Sequence, residues 1–507
     1  MPPDPVGTSI VGAVISSLLF IALLTCLTTA GCRPNPEDFV RVRSSRIALR
    51  HVSVVDGTGS PAKDNQTVVI DQGRIAAAGP AGETPVPSDA QTLDLQGYTV
   101  IPGLVGMHDH LFYAADAGRQ YVSLPRSFAH LYLAAGVTSL RTGGAIELQK
   151  DIDIKREIDE GREVGPKIHL SSPYLGASPD ISTLVQLINT VADAGVTSLK
   201  AYTTLRRDEL AAAIGVAHRR GLTVTGHLCA VGFREAASLG IDSLEHGLLI
   251  DTEFHPGKVE DQCPSWAVTA SELAGVNIDS EPIQETIRQL VSRRVAITST
   301  LAIFESFFPV PASIDPRVDL LFSRSARRDF EREVRRRNAD EAQFKGWQLL
   351  LRTEMAFERS FVRAGGRLMA GADPTGWGGV LAGLADQRNV ELLVEAGFTP
   401  EEAIQIASAN GADSLGESAK IGTVTPGKQA DLVVLRGKLA SDIRNIRNVE
   451  IVFKDGVGFD SAALMRAEHG KIGLSNWRVW LFAGIFTVLL LLLYVHARLT
   501  GSRSSRR

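Results

Sequence analysis

The chain has 507 residues, of which 44% are hydrophobic and 22% are charged, so it has enough apolar material for one large domain or two to three ordinary ones. Its 53 Lys and Arg residues nearly balance 57 Asp and Glu residues, with a formal net charge of -4, which gives no reason to expect a nucleic-acid partner. Four Cys residues exclude a disulfide-built scaffold, and none has a zinc-finger spacing.

The N-terminal segment, residues 1–32, does not have the pattern of a globular fold. Residues 10–30 form an uncharged apolar run that is long enough to span a bilayer and also resembles a secretory signal. The run ends in Thr-Thr-Ala-Gly-Cys, which resembles a lipoprotein cleavage site with Cys32 as the lipidated residue. We therefore predict a signal peptide, a lipoprotein signal or an uncleaved N-terminal anchor over residues 1–32.

Two β-rich flanks enclose the central region in sequence. Residues 45–98 contain short apolar runs joined by turn-forming residues, a pattern typical of β-strands, and residues 421–460 have the same pattern. We expect both flanks to build one small β-sandwich.

Residues 99–420 alternate short apolar runs with longer amphipathic stretches. This pattern predicts an α/β fold, a closed (β/α)8 barrel of the TIM type, with an open doubly wound sheet as the alternative. No nucleotide-binding glycine motif follows a strand. The eight predicted strands are residues 99–108, 137–142, 167–172, 196–202, 222–228, 241–246, 295–301 and 367–373.

An insertion over residues 302–366 separates the seventh and eighth predicted strands. Its centre is rich in Arg and Glu at helical spacing, which favours a solvated helix with ion pairs between successive turns over a lid or a partner surface.

The C-terminal segment contains a second apolar run, residues 479–495, flanked by Trp477 and Trp480. We predict a transmembrane helix over residues 477–498 and a basic tail over residues 499–507. The basic tail favours a cytoplasmic C-terminus, so we expect a membrane protein whose catalytic domain lies on the periplasmic or cell-surface side.

Candidate metal-binding side chains lie at the carboxyl ends of the predicted barrel strands. His108 and His110 are two residues apart on the first strand, so they share a face and can converge on one ion. Active sites of such barrels form at this end of the strands. The other candidates are Lys200, His227, His246 and Asp373, at the ends of the fourth, fifth, sixth and eighth strands.

The central region resembles the amidohydrolase superfamily of metal-dependent hydrolases, from about Ser45 to Gly456. Within it, the resemblance is to the imidazolonepropionase-related and prolidase-like dipeptidase subgroup, and it implies a (β/α)8 barrel with a flanking β-sandwich. The matching stretches are VIPGLVGMHDHLF, AAGVTSLRTGG, GVTSLKAY, AHRRGLTVTGHL, GIDSLEHG, MAGADPTG, and AIQIASANGADSLG with IGTVTPGKQADLVVL.

The resemblance implies a binuclear site for two divalent metal ions, with zinc the first choice. His108, His110 and Asp373 would hold one ion, and His227 and His246 the other. Lys200 would bridge both ions as an N-carboxylated lysine, a carbamate derived from CO2. Asp373 would act as the catalytic proton acceptor during attack on a carbonyl.

One departure narrows the reaction class. Related single-metal deaminases carry a Glu just after the histidine that matches His227, whereas Leu228, Cys229 and Ala230 stand there. This absence argues against deamination and imidazolone ring opening. Cys229 is interpreted as a packed or loop thiol, with a nucleophilic role as the alternative.

Substrate contacts are predicted from the dipeptidase-like subgroup. Tyr202 is the candidate contact for a substrate carboxylate, with packing at the barrel mouth as its alternative role. Arg141 is interpreted as a structural ion-pair partner, with a substrate-binding charge as the alternative.

We therefore expect a membrane-anchored hydrolase that cleaves an amide C–N bond in a small-molecule substrate, a dipeptide or an N-acyl amino acid. The alternatives are a lactonase or phosphotriesterase on the same site and a non-catalytic, membrane-tethered binding module. Nucleic acid is not expected as a partner, and assembly into a homo-oligomer remains open.

Overall fold

The computed structural model describes residues 34–307, 315–339, 341–473, 484 and 486–490. The chain divides into two compact units, Met1–Phe39 and Val40–Arg507. In the first unit, the described residues form a 3-10 helix at Pro36–Phe39. The backbone N–H of Asn35 donates to the Asp38 carboxylate at 3.1 Å.

The second unit contains the strands and α-helices. The strands are β1 Val40–Val42, β2 Arg46–Val54, β3 Lys63–Asp71, β4 Arg74–Pro80, β5 Gln91–Asp94, β6 Tyr98–Pro102, β7 Leu104–Asp109, β8 Phe112–Ala115, β9 Gln120–Ser123, β10 Val137–Thr142, β11 Lys167–His169, β12 Ser171–Leu175, β13 Ser198–Ala201, β14 Thr223–Gly226, β15 Ser243–Glu245, β16 Ala296–Ser299, β17 Leu368–Ala370, β18 Leu432–Arg436, β19 Val449–Lys454 and β20 Val457–Asp460. The helices are α1 Pro125–Ala134, α2 Leu148–Asp159, α3 Ile181–Asp193, α4 Arg207–Arg219, α5 Phe233–Leu239, α6 Trp266–Leu273, α7 Glu281–Ser292, α8 Leu301–Glu305, α9 Pro316–Leu321, α10 Arg324–Ala339, α11 Glu341–Arg363, α12 Leu384–Glu395, α13 Pro400–Ile406, α14 Ala409–Ser414 and α15 Ser461–Ala467.

Strands from both flanks join one sheet. Its order is β1-β20-β19-β18-β6-β2-β3-β4, and β5 pairs with β2. The two flanks meet where β18 lies antiparallel to β6, with Val434 opposite Val100. Alternation along the strands puts apolar side chains on one face, where Ile47, Ile70 and Phe453 belong to a common buried core.

The central region forms parallel strands that fit a TIM-type barrel. They follow one another as β7, β10, a third strand split into β11 and β12, and then β13 to β17. A parallel bridge between Ala145 and Pro173 continues the pairing of the second and third strands. The backbone N–H of Asp373 donates to the carbonyl of His108 at 2.9 Å, so the end of the last strand returns to the first. This connection favours the closed barrel over the open sheet.

Most described residues of the insertion are helical, in α8, α9, α10 and α11. Its surface carries the expected ion pairs, such as Arg332 with Asp329 at 2.7 Å. Arg337 differs from a solvated side chain, because it is buried with its guanidinium 5.6 Å from the Trp377 ring centre. Burial lowers the pKa of Arg337 to about 10. The helix therefore packs one of its arginines inward.

The predicted membrane segments, including Cys32, lie outside the described residues, apart from 484 and 486–490. Among the residues that the structure describes, no helix combines the length and apolar character needed to cross a bilayer. About 20 apolar residues are needed for that, and the described helical run 486–490 is much shorter. This finding contradicts the predicted membrane localisation and the extracytoplasmic placement of the catalytic domain.

Candidate functional site

The six predicted site residues lie together at the carboxyl ends of the barrel strands. His108 is near the end of β7 with His110 just beyond it, and Lys200 is in β13. The other three, His227, His246 and Asp373, lie one to three residues after β14, β15 and β17. The loops that begin there leave the barrel in tight turns, since His246 and Asp373 have φ values of 66° and 44°. The two side chains meet there, with His246 Nε2 3.8 Å from an oxygen of Asp373.

Asp373 lies at the centre of the histidine cluster. Its Oδ1 is 3.1 Å from His110 Nε2 and 3.7 Å from His108 Nε2. Its Oδ2 is 3.8 Å from His246 Nε2. One ligand atom each from His108, His110 and Asp373 lies within 4.8 Å of the others. This group can hold a metal ion.

The remaining histidines form a second side of the same cluster. The ring centre of His246 is 4.6 Å from that of His108 and 4.5 Å from that of His227. Burial, assisted by the nearby Lys200, lowers the pKa of His227 to about 3. His227 is therefore neutral near pH 7, the form in which an imidazole can bind a metal.

The Nδ1 atoms of three histidines have partners outside the cluster. For His108 the partner is Glu245 Oε2 at 2.6 Å, for His110 the carbonyl of Gly144 at 3.3 Å, and for His246 the Thr300 hydroxyl at 2.7 Å. A neutral histidine that donates from Nδ1 keeps the lone pair on Nε2. These contacts therefore direct Nε2 of each ring towards the centre, as outer partners of metal ligands do.

Lys200 is buried, and its Nζ has no hydrogen-bond partner among the described residues. The nearest carboxylate oxygen is Glu245 Oε1, at 3.9 Å. Burial lowers the pKa of Lys200 to about 8, although the carboxylates of Glu245 and Asp373 oppose the shift. A measurable fraction of this amine is therefore neutral near pH 7.

Glu245 is a buried member of the site that the sequence interpretation did not single out. Besides His108, its carboxylate contacts Arg141 Nη2 at 2.5 Å and the hydroxyl of Thr225. Arg141 also donates to the carbonyl of Met107. Arg141 is therefore an internal ion-pair partner rather than a charge exposed to a substrate. The sequence signal for Glu245 was its position directly before His246.

Tyr202 lies at the edge of the cluster. Its ring centre is 5.3 Å from that of His227 and 4.8 Å from that of Tyr174. The side chain is half-buried, and burial raises the pKa of its hydroxyl. The position leaves both packing and a substrate contact open.

Cys229 forms a disulfide with Cys263, 34 residues further along the chain. The interpretation of Cys229 as a packed thiol is therefore wrong, and so is the alternative of a thiol nucleophile. Sequence spacing alone does not specify such a pair, because pairing depends on which loops meet in the fold.

The donor set fits divalent metal ions. Two nitrogen atoms, His246 Nε2 and Lys200 Nζ, are buried without a hydrogen-bond partner in the described part of the chain. Unpaired buried polar atoms are unfavourable, so they indicate a missing partner. Imidazole and carboxylate ligands together suit zinc and similar ions.

The sequence and structure comparisons agree with this fold. The profile of the Amidohydrolase family matches residues 350–458. Imidazolonepropionase from Xanthomonas oryzae pv. oryzae (strain PXO99A) is 34% identical over 87 residues, which are 17% of this chain and 21% of that protein. The chain thus matches about a fifth of the length of this curated relative.

Solved structures resemble most of the chain. A crystal structure of a putative prolidase from Bifidobacterium longum has a TM-score of 0.62 at 24% identity, and the match covers 84% of this chain and 99% of that one. A Xaa-Pro dipeptidase with bound methionine in the active site also has a TM-score of 0.62, at 18% identity, with 82% and 100% covered. At these identities the likeness shows the fold. The resemblance to the Amidohydrolase family itself rests on the profile match over residues 350–458.

Proposed function

We propose that this protein is a metal-dependent amidohydrolase that cleaves an amide C–N bond in a dipeptide or N-acyl amino acid. The observation that carries the proposal is the convergence of four histidines, Lys200 and Asp373 at one end of the barrel. Within that cluster, His246 Nε2 and Lys200 Nζ are buried without hydrogen-bond partners among the described residues. A binding module would not need two such nitrogens aimed at one centre.

The proposed site holds two divalent ions, with zinc the first choice because imidazole and carboxylate donors suit it. His108, His110 and Asp373 would hold one ion. His227 and His246 would hold the second.

Lys200 would bridge the two ions after reaction with CO2. Its neutral amine forms a bond to the carbon of CO2 and loses a proton, which leaves a carboxylate on Nζ. A cationic ammonium cannot bind a metal, whereas this carboxylate has two oxygens. The buried position of Lys200 supports the step, because burial favours the neutral amine.

When bound, the divalent ions would acidify a water molecule and polarise the substrate carbonyl. The chain's own residues then orient and move protons. Asp373 accepts the proton from the attacking water and returns it to the leaving amine. Burial by itself would raise the pKa of Asp373, but His108, His110 and His246 lower it well below its usual value. Asp373 is therefore ionised, as a proton acceptor must be.

The substrate class is proposed from the subgroup. The structurally similar proteins include a putative prolidase and a Xaa-Pro dipeptidase, and the name dipeptidase supports a dipeptide as the substrate class. One relative in sequence is an imidazolonepropionase. Tyr202 is the proposed contact for the substrate carboxylate. Its place beside His227 supports that role.

A substrate panel tests this function on the full chain, supplied with zinc and bicarbonate. Dipeptides and N-acyl amino acids would be compared with lactones and phosphotriesters, in the wild type, in Lys200→Ala and in the surface control Lys150→Ala. We expect amide hydrolysis that Lys200→Ala abolishes and Lys150→Ala retains. Faster turnover of lactones or phosphotriesters would replace the proposal with an ester hydrolase. Turnover of none of these compounds would favour a binding role.

A further inference from the structure

We propose that the pocket beside the site residues selects substrates with a bulky, uncharged apolar group flanking the scissile bond, and that the Cys229–Cys263 disulfide forms one of its walls. This inference rests on the proposed function and adds the substrate class to it. It concerns side chains that take no part in the proposed metal binding.

The pocket has a volume of about 270 Å³ and opens directly onto the site. Its site end is formed by His227, His246 and Asp373. The rest of the lining includes aliphatic and aromatic side chains, those of Leu228, Ile250, Ile303, Phe304 and Phe307. A substrate whose amide bond lies at the site would place a neighbouring group among these side chains.

The lining of the pocket favours uncharged substrate groups over charged ones. Among the described residues that line the pocket, Asp373 is the only Asp, Glu, Lys or Arg, and it belongs to the site. The polar lining away from the site consists of threonines such as Thr203 and Thr269. A charged group would lose its hydration there without gaining an ion-pair partner, whereas an apolar group would gain from burial.

The disulfide forms part of the pocket lining. Cys229 follows His227 by two residues, and Cys263 ends the connection that begins after Ile250; both half-cystines line the pocket. The Lys258 ammonium donates to the carbonyls of Cys229, Ala230 and Gln262 at 2.6, 2.7 and 2.6 Å. The Thr252 hydroxyl donates to the same Cys229 carbonyl at 2.6 Å.

These contacts attach the connection, residues 251–263, to the strand end that carries His227. One covalent bond and three hydrogen bonds, from Lys258 and Thr252 to the carbonyls of Cys229 and Ala230, hold it there, which restrains this part of the pocket lining. A preformed pocket binds its matching group without a further ordering cost. Loss of the disulfide would therefore weaken selection for apolar groups rather than the contacts of the site itself.

The first test compares binding and turnover in two series on the zinc-loaded full chain. One series is the N-acetyl derivatives of phenylalanine, leucine, glutamate and lysine, and the other is glycine with a benzoyl or a succinyl group. Binding is measured by calorimetry, separately from hydrolysis. We expect roughly ten-fold or greater preference for the apolar member in at least one series. Equal binding, or preference for the charged members in both, would overturn the inference.

Charge-reversed variants at Phe307 distinguish direct contact from a general effect on folding. Phe307 is half-buried at the pocket wall, so it can be replaced by Lys or Glu. Phe307→Lys should improve binding of N-acetylglutamate and succinylglycine, which carry an additional carboxylate. Phe307→Glu should improve binding of the N-acetyl derivative of lysine. The matched controls Leu187→Lys and Leu187→Glu, at a position 42% exposed on α3, should change neither. Identical effects of both Phe307 variants would contradict a contact with the substrate group.

The role of the disulfide is tested with Cys229→Ser/Cys263→Ser and, independently of folding, by adding dithiothreitol to the folded wild type. We expect either change to reduce the ratio of apolar to charged affinity. If the ratio of apolar to charged affinity stays unchanged after complete reduction of the disulfide, the disulfide is not a wall of the pocket that selects the substrate. Apolar selection in binding without hydrolysis would refute the proposed function but leave the pocket assignment standing, and hydrolysis without selection would do the reverse.

Discussion

Glu245 Oε2 lies 2.6 Å from His108 Nδ1, at the bottom of the histidine cluster. The same carboxylate pairs with Arg141 through its other oxygen at 2.5 Å. Burial would raise the pKa of Glu245, but Lys200, Arg141 and His108 lower it well below its usual value. Glu245 is therefore an anion, and its contact requires the proton of His108 to be on Nδ1. The short strand β15 thus supplies the group that orients His108 and leads directly into His246.

The Glu245–His108 contact predicts that Glu245→Gln weakens metal binding. The amide preserves the shape of the side chain but removes the charge that fixes the tautomer of His108. Changes of this kind typically cost about 10- to 100-fold in metal affinity. Metal affinity would be measured by competition with a chelator. The control Glu281→Gln, at a side chain 81% exposed on α7, should leave the affinity unchanged, and equal affinities for all three proteins would contradict the orienting role.

Gly143 allows two rings of the cluster to approach the backbone. A Cβ at this position would lie 2.5 Å from His108 Cδ2 and 2.9 Å from His110 Cε1. Gly143→Ala should therefore displace both rings and reduce metal content and activity together. Metal content per chain after purification is the measurement.

Gly275→Ala is the matched control for Gly143→Ala. Nothing lies within 4 Å of the Cβ that this change would add, and neither glycine needs a positive φ. The control should retain full metal content. A metal-replete Gly143→Ala protein would show that the rings adjust without loss of the site.

His130, on α1, contacts two acidic side chains that are distant from it in sequence. Its Nε2 lies 2.9 Å from Glu163 Oε1, and its Nδ1 lies 2.7 Å from Glu468 Oε1. Burial would lower the pKa of His130, but the two carboxylates raise it above its usual value. Burial would likewise raise the pKa of Glu163, yet its contacts with His130 and Arg126 lower it to about 2.

The stability that this cluster contributes should depend on pH. A histidine whose pKa is raised by folding contributes its full stabilisation of the folded state at pH values below its unfolded pKa of about 6.5. That contribution is lost as the pH rises through the pKa of the folded state. For Glu163, whose pKa is lowered by folding, the stabilising contribution is present above pH 4.5 and is lost as the pH falls towards 2. The free energy of unfolding should therefore differ more between the wild type and His130→Gln at pH 5.5 than at pH 9. A difference that grows with pH would contradict the ion-pair interpretation.

Tyr202→Phe tests the proposed contact with a substrate carboxylate. Loss of a hydrogen bond to a charged group costs about 1.5–3 kcal/mol, so KM for N-acyl amino acids should rise roughly ten-fold or more, with kcat little changed. Carboxamide-capped substrates should show no such rise. Tyr98→Phe, in the flank sheet, is the control. A lower kcat with unchanged KM would indicate packing against His227 instead.

The clustering of candidate side chains at the strand ends is the part of this protein that its sequence predicts well. Period-two alternation puts His108 and His110 on one face, and a parallel barrel brings the carboxyl ends of distant strands together. The positions of His227, His246, Lys200 and Asp373 at predicted strand ends therefore assign them to the same barrel mouth. The pairing of the two flanks in one sheet follows similarly, because the sequences on both sides of the barrel have the same pattern of short strands and turns.

Long-range pairing of loops and buried charges was less predictable. The Cys229–Cys263 disulfide depends on how the connection after His246 folds back, and no local pattern encodes that. Apart from its position directly before His246, Glu245 has the pattern of an ordinary acidic residue, and its contact with His108 in the fold shows its role. Arg337 likewise belongs to a charged helix whose inward face depends on the position of Trp377. In each case the deciding partner is distant in sequence.

Metal content of the full chain tests the binuclear, lysine-bridged site most directly. The wild type and Lys200→Ala would be purified with zinc and bicarbonate present, and bound metal would be measured by mass spectrometry. We predict about two ions per wild-type chain and a clear loss in Lys200→Ala, because the bridging carboxylate is gone. One ion in both proteins would contradict the bridging role of Lys200, and the absence of metal from both would contradict the proposed metal-dependent mechanism.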